Sequence, residues 1–238
     1  LLVYYLLFLL QSTLIEENIN KLFSYFRTRL VKNSFYTGVA LIFIGLTPFI
    51  FNFFIGRTFG AETLGSINII INFCLIITIF ISNFFGSAGN KYLAEFRGRN
   101  YLDNFLYTFK IMFFGSTFFL IIIGIILYVN WNYFFNKFSL PENLLIPIIF
   151  YIFLRTIYIL LRKTLYGMDL VRHYAYNEIF AAIFMFAMIG YVCYNGIPNF
   201  LIHTYLLSYF IFLILCIFTL SKNFKKTTSS MDRINNFS

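Results

Sequence analysis

Arg155 is the residue whose chemistry is hardest to explain away. It lies in LLIPIIFYIFLRTIYILLRK, about two helical turns before Arg162, in an otherwise apolar stretch. On a helix Tyr151, Tyr158 and Arg162 share its face, and phenol rings solvate a guanidinium by hydrogen bonding or cation–π contact. Two readings stand open. The long stem lets the guanidinium reach the headgroups and act as an anchor. Alternatively the planar fork forms a cationic site suited to phosphate oxygens.

The second chemical feature is a row of amides. At 100° per residue, Gly65, Asn68, Asn72, Asn83, Gly86 and Asn90 fall within about a 60° sector. Such a stripe is either a helix-packing seam, held by small residues and interhelical amide bonds, or one wall of a water-filled cavity. A similar sector of about 40° holds Gly38, Gly45, Asn52 and Gly56, with Pro48 beside it. Its spacing of seven predicts a close crossing with a neighbouring helix, and Pro48 permits a bend.

Equally informative is what the pattern excludes. Asp103, Glu178, Glu95 and Asp169 fall at the ends of apolar runs or in connections, and Glu62 and Glu142 fall outside them. A membrane-embedded carboxylate for proton or sodium coupling is therefore not expected. No GxxxxGK[ST] loop occurs, and His173 and His203 stand without a Ser or Cys constellation. Cys74, Cys193 and Cys216 are scattered singly, at no metal-ligand spacing. The residues predict no catalytic group, no metal site and no cofactor, so an enzyme is not expected.

These side chains must be positioned inside a bilayer. Six apolar runs, at 34–55, 64–86, 104–129, 143–161, 174–194 and 200–220, fill most of the chain. Each meets or approaches the ~20 residues a helix needs to cross about 30 Å of hydrocarbon. Hydrophobic residues make up 60% of the chain and charged residues 11%, a surface no soluble domain maintains. The runs are too long and too continuous for barrel strands. The expected class is all-α: a polytopic membrane protein with six transmembrane helices.

The charges give its orientation. If all six runs span, fourteen Lys and Arg fall on one side, in the segments before the first span and after the second, fourth and sixth. Only Arg57 and Lys137 fall on the other, while Lys110 and Arg155 lie within runs. The positive-inside rule places both termini in the cytoplasm. The net charge of +9 is then topology plus attraction to anionic lipids, not nucleic-acid binding.

Three regions follow: 1–31, an apolar start and an amphipathic helix; 32–220, the six-helix transmembrane lobe; and 221–238, a polar cytoplasmic tail expected to lack fixed structure. Leu14, Leu22, Phe23, Phe26 and Leu30 recur at helical spacing, which predicts an interfacial helix at about 14–30.

Residues 32–100 carry a family likeness. Lys32-Asn33 precedes the first run, and Gly56-Arg57-x-x-Gly60-x-x-x-x-Gly65 joins the first two. Gly86-Ser87-Ala88-Gly89 closes the second run, before Lys91-Tyr92-Leu93-Ala94-Glu95. This segment resembles the amino-terminal part of the polysaccharide biosynthesis proteins, the lipid-linked oligosaccharide flippases of the multidrug/oligosaccharidyl-lipid/polysaccharide exporter superfamily. Arg162 to Met168 (RKTLYGM) is similar to the family's connection between spans four and five. The resemblance implies a flippase of the cytoplasmic membrane that turns a polyisoprenyl-pyrophosphate-linked oligosaccharide between leaflets by alternating access, for surface polysaccharide assembly. Its expected partners are membrane lipids and that glycan. With about half the family's spans, the chain is expected to be a partial or half-size form that pairs with a second six-helix lobe or with its own copy. The substrate-binding residues expected on this reading are Arg155, Tyr151 and Tyr158 for the pyrophosphate, and Asn68, Asn72 and Asn83 for sugar hydroxyls.

Two rivals stay open. A membrane glycan polymerase or glycosyltransferase would want charged residues in a large outer loop, where 130–143 holds only Lys137 and Glu142. A non-transporting scaffold or decayed fragment is the other.

Overall fold

A computed structural model describes residues 29–99, 101–133 and 144–235, with side chains placed over 31–99, 101, 103–133 and 144–223. Apart from short turns between elements these residues are helical, and none of them lies in a strand. In hydrocarbon no water is present to satisfy backbone N–H and C=O groups, so even a β-branched and aromatic sequence is driven into helix. The elements are α1 (Arg29–Gly98), α2 (Leu102–Val129), α3 (Leu145–Gly167), α4 (Val171–Asn195), a 3-10 turn (Pro198–Phe200) and α5 (Leu201–Asn235). All five helices are long and apolar enough to cross a membrane.

The first two apolar runs thus belong to one helical element, interrupted only at Gly60, where φ is 85° and ψ 173°. That conformation is open essentially to glycine alone. It folds the element back on itself. Asn68 Nδ2 donates to Asn52 Oδ1 at 3.2 Å, although 16 residues of straight helix would separate them by about 24 Å. A Cβ on Gly56 would stand 3.2 Å from Leu64, again across the fold. The open ends of the two arms, 29–59 and 61–98, meet at the α3–α4 corner. There Asn33 donates to Asp169 at 2.8 Å, and Gly167 lies against Leu93. Asp169 has a positive φ of 54°, and Arg97 lies 3.9 Å from its second oxygen.

Apolar side chains cover the outside of the bundle as well as filling its core. Phe35, Phe49, Ile76, Phe80, Phe114 and Phe118 are exposed, while Ser and Thr side chains are buried. Thr78, Ser116, Thr156 and Thr164 each donate to the carbonyl one turn earlier, which satisfies their hydroxyls without a second helix. The core is aromatic and aliphatic, with Phe51, Tyr151, Tyr174 and Phe212 fully enclosed. Close contacts occur at Gly115, where a Cβ would meet the Phe85 ring at 2.5 Å, and at Gly89, where it would meet Met112 at 2.6 Å. Gly196, at φ 66°, ends α4 in the left-handed conformation usual for a helix stop.

Several expectations are corrected. Gly38 and Gly45 have open space where a Cβ would stand, so they form no close crossing; the tight seams lie at Gly86, Gly89, Gly115 and Gly167 instead. The connection expected at Arg162–Met168 is mostly helix, because α3 continues to Gly167. Lys163 does not end the helix. It reaches across to arm 61–98, donating to the Ser82 carbonyl at 3.0 Å and packing on Gly86. The polar tail does not lack structure over 221–235, since α5 runs to Asn235. The interfacial helix expected at 14–30 lies outside the described residues, apart from its last two positions, which already belong to α1. So does most of the outer loop at 130–143.

Candidate functional site

Arg155 lies near the middle of α3 and turns inward. Its amide-like fork is held by two phenols: Nη1 donates to Tyr151 Oη at 3.3 Å and to Tyr209 Oη. Both rings also face the cation, with centroids 5.9 Å and 5.4 Å from the guanidinium carbon. Its Nε is buried without a hydrogen-bond partner. Among the described residues no carboxylate comes within ion-pair distance of this guanidinium.

The periodicity of three helices creates the arrangement. Tyr151, Arg155, Tyr158 and Arg162 fall on one face of α3 because 3.6 residues per turn align positions three and four apart. Tyr205 and Tyr209 align likewise on α5, which runs parallel to α3. Their rings interlock edge to face, with Tyr151–Tyr205 at 5.9 Å, Tyr151–Tyr209 at 5.7 Å and Tyr158–Phe212 at 4.6 Å. α4 runs the other way and brings Glu178 to this cluster.

Glu178 corrects the sequence reading most sharply. It was expected at the end of a span; α4 begins at Val171, so Glu178 stands two turns inside and is buried. Tyr158 Oη donates to Glu178 Oε1 at 2.8 Å, so Tyr158 serves the carboxylate and not Arg155. Arg162 lies over the Tyr174 ring, 5.6 Å from its centroid.

Between these groups is a cavity of about 290 Å3, lined by Thr47, Pro48, Ile71 and Leu75 of α1, Arg155, Tyr158 and Arg162 of α3, Glu178 and Ala181 of α4, and Ser208 and Tyr209 of α5, among others. That is the volume of roughly ten waters at about 30 Å3 each, and just under the usual range for drug-sized ligands. It suits a small charged group. A sugar chain or an isoprenoid tail does not fit.

The structure therefore brings together Arg155, Tyr151 and Tyr158, and adds Tyr209, Arg162 and Glu178. It does not bring Asn68, Asn72 or Asn83 to them. Arm 61–98 turns Ile71 and Leu75 to the cavity, and none of the three amides is among its lining residues. Asn68 bonds to Asn52, and Asn72 is exposed. Asn83 is exposed too, and its Oδ1 accepts from Lys163 Nζ at 3.4 Å. Gly38, Gly45 and Gly65 leave open space beside their backbones, giving both arms outward positions without a side chain.

Tyr209 and Glu178 were missed for different reasons. The Tyr205–Ser208–Tyr209 pattern in the sixth run was a usable signal. Glu178 was hidden by a span start placed three residues late.

No family model, curated protein or solved structure matches the chain.

Proposed function

We propose that this chain is one six-helix lobe of a transporter that carries a polyisoprenyl-pyrophosphate-linked glycan from the cytoplasmic to the outer leaflet of the cytoplasmic membrane by alternating access. The observation that carries the reading is Arg155, a deep guanidinium facing a largely apolar cavity without a carboxylate pair among the described residues. A charge at such depth is costly, and residues kept there commonly mark a substrate or ion path. Arginine cannot lower that cost by losing its proton. It presents a permanent charge to phosphate oxygens in a low-dielectric site.

Each arm of α1 counts as one crossing on this reading. Six crossings return both ends of the lobe to the cytoplasmic side, in keeping with the fourteen-to-two division of basic residues. The cavity accommodates the phosphates of the substrate. The sugars and the isoprenoid travel outside the lobe, along the face that bears Asn52, Asn68 and Asn72. Exposed amides are unfavourable against lipid tails, so a second lobe, or a second copy of this chain, closes over that face and leaves a wet path between.

A crosslinking experiment in cells that assemble the glycan tests this, because it works with whatever partner is present. A photoreactive phenylalanine is placed at residue 72 for the sugar path, at residue 75 for the cavity, and at residue 114, exposed on α2, as control. Adducts to lipid-linked glycan are expected at 72 and 75 and not at 114, with the adduct at 75 lost on Arg155→Gln. Adducts at neither 72 nor 75 refute the reading.

A further inference from the structure

The cavity holds three charged side chains, Arg155, Arg162 and Glu178. With the carboxylate ionised, the guanidiniums exceed it by one charge. A dianion such as a bridged diphosphate then overshoots, leaving one negative charge in excess. With Glu178 protonated, the dianion meets two guanidiniums and the cavity is neutral. Neutrality matters here because few polar groups and little solvent are available to offset an unpaired charge.

Glu178 is the group able to make that adjustment. From α1 the titratable neighbour is the buried thiol of Cys74, beside lining residues that carry no charge. From α3 come Tyr151, Arg155, Tyr158 and Arg162; from α4, Tyr174 and Glu178; from α5, Tyr205 and Tyr209, with Cys216 beyond them. Phenols and thiols have reference values above neutral pH, and arginine stays charged throughout. A second negative charge entering the cavity favours the protonated form of a carboxylate. Tyr158 holds Glu178 by one oxygen at 2.8 Å, which leaves the other oxygen for the proton.

We propose that the cavity binds a phosphate-type dianion together with one proton, the dianion spanning Arg155 and Arg162 while the proton, drawn from solvent, neutralises Glu178. This rests on the reading that the cavity receives phosphate groups, and it makes that uptake sensitive to pH.

The probe is P1,P2-dimethyl diphosphate, which keeps two negative charges from about pH 5 to 8, titrated calorimetrically into the nanodisc-embedded chain. Buffers of different ionisation heat count the protons. The wild type should take up about one proton per dianion, with affinity rising about tenfold for each pH unit lowered within the coupled window. Glu178→Gln should bind tightly, take up no proton and show a flat pH profile. Tyr158→Phe removes a hydrogen bond that favours the ionised carboxylate. It should keep the slope but move the window to higher pH, which covers the case in which the glutamine variant does not fold. Sulfate is the second arm: tighter binding of the diester assigns a lipid headgroup, and tighter binding of sulfate assigns a free inorganic dianion.

A flat wild-type profile, a wild-type slope retained in Glu178→Gln, or no dianion binding at any pH overturns the proposal. Proton-linked binding without glycan adducts at 72 and 75 instead leaves this proposal standing and removes the flippase reading.

Discussion

Replacing Gly60 by alanine should open the α1 hairpin, and the structure sets the size of the effect. At φ 85° and ψ 173°, Gly60 occupies a region that costs an L-residue of order 1–3 kcal/mol. No atom lies within 4 Å of where its Cβ would stand, so the penalty is conformational and not steric contact with a neighbour. At about 1.4 kcal/mol per tenfold, the folded-to-unfolded ratio should fall by roughly 5- to 150-fold. Gly45→Ala is the matched control. Its Cβ also meets open space, but its backbone is helical, so it should be neutral or stabilising by up to about 1 kcal/mol. Reversible unfolding by SDS titration, followed by circular dichroism, measures both. The hairpin itself is read by disulfide formation between Asn52→Cys and Asn68→Cys, in a background with Cys74, Cys193 and Cys216 changed to alanine. The pair should couple rapidly with Gly60 present and more slowly in Gly60→Ala. Equal stability of Gly60→Ala and Gly45→Ala would show that the backbone at residue 60 is not the constraint. Failure of the cysteines to couple with Gly60 intact would refute the fold-back.

Tyr209→Phe removes one of the two hydrogen bonds to the Arg155 guanidinium and should cost about 1.5–3 kcal/mol in the same titration, the range for bonds to charged groups; a change below about 0.5 kcal/mol would mean the phenol does not hold the cation. Gly115→Ala drives a methyl against the Phe85 ring at 2.5 Å and should cost about 1–3 kcal/mol. Gly89→Ala meets the flexible Met112 side chain at 2.6 Å and should cost less; the reverse order in measured stability would refute the packing of α2 on arm 61–98.

The class of this molecule was legible in its composition and run lengths. Nothing but helix buries that many consecutive apolar residues in a bilayer, so the prediction needed no tertiary contacts. The face shared by Tyr151, Arg155, Tyr158 and Arg162 was legible too, because helical periodicity is a local property. The position of Gly60 between two runs marked a turn, although its extent, a single residue inside a continuous helical element, was not visible.

What the sequence left open depended on which helices become neighbours. A helical wheel ranks residues by angle but does not say which sector faces the bundle. The Asn68, Asn72 and Asn83 stripe and the Gly38–Gly45 row therefore had a direction only relative to their own helices. Tertiary structure turned Ile71 and Leu75 inward, paired a half-buried Asn68 with Asn52, and left Asn72 and Asn83 exposed. Tyr209 lies 54 residues from Arg155, and Glu178 lies 20 from Tyr158, separations at which no local pattern reports contact. Glu178 illustrates the difference most clearly. By hydropathy it marks an end, since a charged residue lowers the local average. In the bundle it is buried, because a phenol from α3 and the nearby guanidiniums supply the hydrogen bond and opposite charge that the apolar run itself lacks.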